Sequence, residues 1–292
     1  MTEQPETPET GPNSAQSKYW NAAAGDQWTR DQVAQDRFLS LLTERLFHHA
    51  AIQPGERILD IGCGTGATAL GAAKAAGTGG AVLGIDLSHA MLGLARARAE
   101  AMNGMENLTL EIADAQSHAF AQGAYDLLQS RFGVMFFADP TAAFANLLGA
   151  LRPSGRICFV CWGPLAEHHW FRISGAAAVK FLGEPDPTDP RAPGPLAFAD
   201  PDYVTGILSE AGFVDVRISS ETRDLLGAAS AAEAAGNALQ RGPAARLIAA
   251  HDPPPETIAA IRAEIEKGLS KYHGSGGVRV PAGLHFVHAR RA

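Results

Sequence analysis

Three aspartates and three glycines are spaced along this chain as if to meet one ligand. Asp60 sits near the end of the apolar run Ile58-Leu59-Asp60-Ile61 and is followed by Gly62-Cys63-Gly64-Thr65-Gly66. Asp86 ends a second apolar stretch and Asp114 follows a third. Glycine lets a backbone turn tightly and approach a ligand with no side chain in the way, so Gly62, Gly64 and Gly66 form a loop whose amides can close on a nucleotide-like group. An ionised carboxylate has about four lone-pair sites, enough for Asp86 to accept both hydroxyls of a ribose. Asp114 is placed to accept from an exocyclic amine such as adenine N6, with the Ala115 N–H left for a ring nitrogen.

Such a rim needs elements to hold it. Apolar runs predict strands at 57–61, 81–86, 108–113, 125–130 and 156–162, and small, helix-favouring residues such as Ala67 to Ala76 fill the spaces between them. Asp139-Pro140 reads as an N-cap with proline in the first helical turn, and Pro153-Ser154-Gly155 as the turn that stops that helix. Alternating strand and helix specifies a parallel sheet covered on both faces, with ligands beyond the C-terminal ends of the strands.

The flanks are read more loosely. Residues 1–16 are polar and rich in Pro, Thr and Glu, which predicts a disordered tail. Trp20, Trp28, Val33, Phe38, Leu42 and Leu46 then have the spacing of amphipathic helices, over 17–52. A core over 53–165 is followed by cap segments at 166–200 and 227–275, the first of which includes a Pro-rich surface loop at 183–195. A closing helix and strand pair lie within 201–226 and 276–292, with the strands at 214–219 and 284–289; Asp200-Pro201 caps the helix. All of 17–292 is expected to be one domain.

Composition excludes several function classes. Against 24 Lys plus Arg stand 31 Asp plus Glu, a formal charge of -7, with no basic block longer than a pair, so general nucleic-acid binding is disfavoured. The N-terminus carries Glu3, Glu6 and Glu9 where a signal peptide needs positive charge. No apolar run approaches the roughly 20 residues of a membrane span. Three cysteines, Cys63, Cys158 and Cys161, fit a reducing compartment, and the expectation is a cytoplasmic protein. A homodimer is admitted.

The motifs together resemble those of class I S-adenosylmethionine-dependent methyltransferases. The resemblance is dense from about residue 50 to 165, through Asp60-Ile-Gly-Cys-Gly-Thr-Gly, Gly84-Ile-Asp86-Leu-Ser-His-Ala-Met91, Ala113-Asp114-Ala and the Arg-Pro-Ser-Gly turn before Trp162. Ser130 to Phe137 with Asp139-Pro140 is similar to the small-molecule branch related to ubiquinone and menaquinone C-methyltransferases. The resemblance implies a Rossmann-like, doubly wound α/β sheet of seven strands, six parallel and the last antiparallel, with N-terminal helices and a helical cap. It implies S-adenosylmethionine as cofactor and a small, aromatic or apolar acceptor. It puts Gly62, Cys63, Gly64 and Gly66 around the methionine part, with Asp60 on its amino group. Asp86 falls on the ribose, Leu87 and Met91 on the adenine, Asp114 and Ala115 on its polar edge, and Ser130 and Arg131 at the methionine end beside the acceptor.

Other readings compete. Gly62, Gly64 and Ala67 also satisfy the dinucleotide pattern G-x-G-x-x-G/A, so a nicotinamide-dependent oxidoreductase is one alternative and a non-catalytic cofactor-binding protein another. Arg131 suits a ligand carboxylate or a salt bridge to Asp86, Asp139 or a neighbouring loop. His168 and His169 follow the fifth strand, where a proton acceptor would lie, but are equally read as solvated loop residues. Trp20 and Trp28 serve either as a lid over the cofactor or as packing anchors. Phe171, Phe181, Phe198 and Tyr203 are available to wall an acceptor pocket or a core. Cys158 and Cys161, like His285 and His288, lie three apart in a strand and point to opposite faces, which disqualifies either pair as metal ligands. No metal is expected.

Overall fold

The computed structural model describes residues 11–102 and 105–292. Strands β1 (Arg57–Ile61), β2 (Ala81–Asp86), β3 (Leu108–Ile112), β4 (Tyr125–Arg131) and β5 (Leu151–Trp162) are parallel neighbours. Beyond β5 lie β8 (Gly277–Arg290), antiparallel to it, and β6 (Val214–Ala228), antiparallel to β8. The order is β3-β2-β1-β4-β5-β8-β6, with the two-residue β7 (His273–Gly274) paired to the start of β8. Six main strands therefore run one way and β8 the other, the doubly wound α/β sheet that the resemblance implies.

Helices cover both faces. Helix α4 (Ser40–Ala50) lays His49 on Phe286, ring centroids 4.4 Å apart. On the other side α7 (Pro140–Ala150) stacks Phe144 on Phe159 at 5.6 Å. Phe159 pairs across the ladder with Val287, the neighbour of Phe286, and neighbours along a strand face opposite ways. The core between them includes Leu42, Leu46, Ile58, Leu127, Phe144 and Phe159, all fully buried. Asp139 caps α7 by accepting from the Ala142 N–H at 2.9 Å, and Asp200 caps α9 (Pro201–Glu210) through the Asp202 N–H at 3.0 Å.

Three expectations need correction. Residues 1–10 of the tail lie outside the described residues, but Ser14–Trp20 is helix α1, so order begins before residue 17. Pro153-Ser154-Gly155 lies inside β5 as a bulge, Ser154 taking a φ of 63°, where the pairing slips between Tyr125 and Leu127. The closing strands run to 15 and 14 residues, well past the expected limits. Before Leu284, the partner of Trp162 at the end of β5, β8 keeps β6 on one side and meets the short β7 on the other only at Gly277 and Val278, and the open edge between is where a strand tolerates Pro281.

That overhang carries the cap. Helix α8 (His169–Leu182) packs against α11 (Pro243–His251) and α12 (Pro255–Ser270), and α12 against α10 (Ala231–Ala238). Trp170 of α8 lies over Gly227, whose added Cβ would sit 3.2 Å from its ring, and meets Phe38 of α3 (Gln32–Phe38) at 5.1 Å. Among the described residues no helix is long and apolar enough to cross a membrane.

Candidate active site

The glycine loop between β1 and α5 (Ala67–Ala76) is left-handed at Gly62, Gly64 and Gly66, with φ of 65°, 54° and 87°. A Cβ on Gly62 would stand 2.7 Å from the Gly133 Cα, so the loop also packs backbone to backbone against the segment after β4. Cys63 is buried, and its N–H donates to Ile85 O at 3.0 Å. Asp86 accepts from the Gly64 N–H at 2.8 Å and from the Ser88 N–H at 2.9 Å. Each of its oxygens is thereby held with a lone pair to spare, and burial raises its pKa.

Asp60 is fully buried in the middle of this arrangement. Its Oδ2 accepts from the Thr68 hydroxyl at 2.6 Å, while Oδ1 has no partner. Burial pushes its pKa up to about 7 against the pull of the Thr68 hydroxyl and Arg131. Arg131 donates to the Thr43 hydroxyl at 2.6 Å rather than to Asp86 or Asp139; burial lowers its pKa, and Asp36 and Asp60 oppose that shift. Ser130 donates to Ile61 O at 2.7 Å and accepts from the Gly133 N–H at 3.1 Å, so its hydroxyl ties the ends of β1 and β4 together.

The N-terminal helices cross this rim. Asn13 is buried and donates through Nδ2 to Asp114 Oδ1 at 2.8 Å, while its Oδ1 accepts from the Ala138 N–H at 2.8 Å. Asn21 spans the β2–α6 turn, donating to Leu87 O at 2.8 Å and accepting from the His89 N–H at 2.9 Å; α6 covers His89–Ala101. Gly25 of α2 (Ala23–Arg30) approaches so closely that a Cβ would lie 2.9 Å from the Ser88 hydroxyl and 2.0 Å from Trp20 O. Trp20 meets Trp28 edge-on at 6.1 Å and Phe136, after β4, at 5.4 Å. Met91 is buried beside Gly64, its sulfur 3.7 Å from where a Cβ would be, and Ala115 is buried next to Asp114. His89 is exposed.

Aromatic rings build the other end. Phe132, next to Arg131, takes a left-handed φ of 67° and stacks on Trp162 at 4.0 Å. A bulky residue held in that conformation marks a place where the surroundings dictate the backbone. Trp162 in turn lies 4.6 Å from the ring of His168, which stacks on Phe171 at 3.6 Å. His168 is therefore no solvated loop residue: it is fully buried, accepts from the Phe171 N–H at 3.3 Å as the cap of α8, and leaves Nε2 without a partner. Burial pushes its pKa down to about 3. His169 instead bonds the Tyr272 hydroxyl at 2.6 Å. Of the four aromatic residues expected to wall a pocket, only Phe171 joins this group. Phe198 is packed with Phe144 and Phe159, Tyr203 lies under Arg191, and Phe181 is exposed.

A buried carboxylate oxygen with no partner, at the mouth of a glycine cradle, fits a ligand that carries an ammonium group and approaches backbone closely. A family profile described as a methyltransferase domain matches residues 58–155, the stretch that contains both features. Nocamycin O-methyltransferase of Saccharothrix syringae is 28% identical over 87% of this chain and 91% of its own length. The chain is a class I S-adenosylmethionine-dependent methyltransferase. A demethylmenaquinone methyltransferase of Thermus thermophilus is 37% identical over 44% of this chain and 58% of its own. In fold the methyltransferase is also similar to phosphoethanolamine N-methyltransferase 2 of Haemonchus contortus, solved with S-adenosylmethionine. The TM-score is 0.58 at 17% identity, over 94% of this chain and 59% of that one.

The sequence reading of this methyltransferase missed Asn13, Asn21, Gly25, Thr68 and Phe132. Gly25 carried a usable signal, because a glycine inside a helix costs about 1 kcal/mol relative to alanine and so marks a close approach. Asn13 carried none, since it lies in a polar stretch where nothing distinguishes it from its neighbours.

Proposed function

We propose that this enzyme methylates a small, planar, largely apolar acceptor, with the cofactor lying along β1, β2 and β3 and the acceptor at the ends of β4 and β5. The observation that carries the reading is the unpartnered Asp60 Oδ1 beside three left-handed glycines. When bound, S-adenosylmethionine supplies an electrophilic methyl on a cationic sulfur, and the electron pair of the breaking bond stays with sulfur.

The protein's task is then placement, and in-line orientation is worth roughly 7 to 11 kcal/mol of barrier in favourable cases. Asp60 receives the amino group and Asp86 the ribose hydroxyls. Asp114 keeps one carboxylate oxygen for the adenine amine while Asn13 holds the other. Leu87 and Met91 flank the ring. Arg131, pinned by Thr43, keeps positive charge beside Asp60 and helps hold it ionised once an ammonium arrives. Trp20 and Trp28 close the N-terminal helices over the rim. Residues 17–292 act as one unit in the cytoplasm, with the cap setting acceptor choice.

Isothermal titration tests the reading. S-adenosylhomocysteine should bind at micromolar concentration and NAD(H) should not; the opposite pattern returns the glycine loop to its dinucleotide reading. Turnover of methyl-labelled cofactor on phenols, quinols, amines and fatty acids separates an enzyme from a silent binder.

A further inference from the structure

We propose that His168 is a hydrogen-bond donor to the acceptor, its Nε2–H holding a phenolate, enolate or conjugated carbonyl oxygen of a planar substrate laid against the Phe132–Trp162 stack. The proposal rests on the placement of the cofactor along Asp60 to Gly66, and it specifies the acceptor chemistry that the cofactor site leaves open.

The tautomer follows from the capping bond. A neutral imidazole has one N–H and one acceptor nitrogen, and His168 Nδ1 accepts from the Phe171 N–H. The proton is therefore on Nε2, the atom that is buried with no partner. A buried donor left unmade is costly, so such a group in a native fold needs an acceptor, and a substrate oxygen is one that can meet it. Burial keeps the ring neutral, since its pKa is pushed down to about 3. The same facts argue against a general base, because a base would need a lone pair at the atom that carries the proton.

Position gives the group its partner. Gly62 touches Gly133, Gly133 follows Phe132, Phe132 stacks on Trp162, and Trp162 lies beside His168. The chain of contacts leads from the methionine loop to the Nε2–H past two rings stacked on each other, surroundings that suit a flat, electron-rich acceptor. The run of contacts thus joins two regions that each hold an unpartnered buried atom, with opposite demands: Asp60 Oδ1, two residues before Gly62, for a donor and His168 Nε2 for an acceptor. A phenolate or enolate oxygen bound at Nε2 has already lost its proton to solvent; its second lone pair, or the ring carbon beside it, forms the bond to the methyl as the methyl–sulfur electron pair stays with sulfur, and a ring carbon then releases its hydrogen to solvent as a proton.

Two variants separate the donor from the cap. His168→Asn keeps an oxygen that can cap the Phe171 N–H but loses the Nε2–H, whereas His168→Gln carries an amide N–H near the Nε2 position. Titrations in the presence of S-adenosylhomocysteine would use 1-naphthol, 2-hydroxy-1,4-naphthoquinone and 1-naphthylamine. The wild-type protein is expected to bind an oxygen probe at least tenfold tighter than the amine. His168→Asn should lose tenfold or more for the oxygen probes at unchanged S-adenosylhomocysteine affinity, which shows that the variant is folded, and His168→Gln should recover most of it. Equal affinities in wild type and His168→Asn, or no binding of any probe while S-adenosylhomocysteine binds, overturn the proposal. Failure of S-adenosylhomocysteine itself to bind overturns the cofactor placement instead. Nitrogen NMR of the His168 ring gives a check without any acceptor: a proton on Nδ1 rather than Nε2 also overturns it.

Discussion

At the β1–β2–β3 end of the rim, carboxylates are held by hydrogen bonds from backbone amides and from the side chains of Thr68 and Asn13; at the β5 end, rings are held by other rings. Asp86 is fixed by the N–H groups of Gly64 and Ser88, and Asp114 by Gln116 N–H and Asn13. Phe132, Trp162, His168 and Phe171 form a continuous run of rings whose side chains take one hydrogen bond, at His168 from the Phe171 N–H. The first arrangement depends on backbone geometry and charge, which make it specific for one ligand. The second depends on area and shape, which tolerate change of side chain and so of acceptor. One class of cofactor and many classes of acceptor can be served by such a division.

The sharpest way to break the first end is through its backbone. Gly62→Val puts a Cβ against the Gly133 Cα, at 2.7 Å, in a left-handed conformation. Left-handed strain alone costs about 1–2 kcal/mol, and the clash with backbone adds to it, so a stability loss of about 3 kcal/mol or more is expected in urea titration, with cofactor-product binding abolished. An unchanged denaturation midpoint would refute the packing of the two loops. Asp60→Asn acts on charge alone. It should weaken S-adenosylhomocysteine by about 2–3 kcal/mol, the worth of a hydrogen bond to a charged group at the upper end. The wild-type affinity should also rise with pH through about 7, because the ammonium needs the ionised form of Asp60, and this pH dependence should vanish in the variant. A flat wild-type profile between pH 6 and 8 would remove Asp60 from the amino-group site.

The two ends also differ in how much of them the sequence announces. The places of Asp60, Asp86, Asp114 and the glycines are legible because each stands at or near a strand end, and short strands bounded by turn residues can be read from one sequence. The overhang of β6 and β8 is not, since the polar stretch Ser219 to Asp224 that leads into it and its Pro281 lack the apolar pattern of a covered strand. His168 was visible as a residue but not as a buried one. Its environment is made by Phe132 and Trp162, which are brought beside it by the pairing of β4 with β5.

Burial of His168 has a consequence that sharpens the contrast. An unfolded histidine titrates near about 6.5, while His168 in the fold stays neutral down to about 3. Above the first value its contribution is fully present. As pH falls below it, the unfolded chain takes up a proton that the folded chain refuses, and stability drops by about 1.4 kcal/mol per pH unit. His49 and His288, whose pKa values burial also lowers, add loss of the same sign. Between pH 7 and pH 5 the wild type should lose about 2 kcal/mol more than His168→Asn, read from urea titrations at both values. Parallel loss in the two proteins would mean that His168 is open to water.

The smallest expected effect concerns the contact between the helices and the rim. Asn13 meets Asp114, Gln116 and the Ala138 N–H, so it links the loop after β3 to the loop before α7. Removing it as Asn13→Ala leaves Asp114 Oδ1 with only the Gln116 N–H and frees the Ala138 N–H. Asn13 acts on the ligand only through Asp114, so its loss should cost about 1 kcal/mol of binding and weaken S-adenosylhomocysteine by roughly fivefold, while binding at the His168 end is unchanged because no contact of Asn13 reaches it. If Asn13 instead competes with adenine for Asp114, its removal will tighten the cofactor product. The sign of the change therefore decides whether the N-terminal helices complete the adenine site or occupy it, and the answer bears only on the end of the rim that is built from carboxylates.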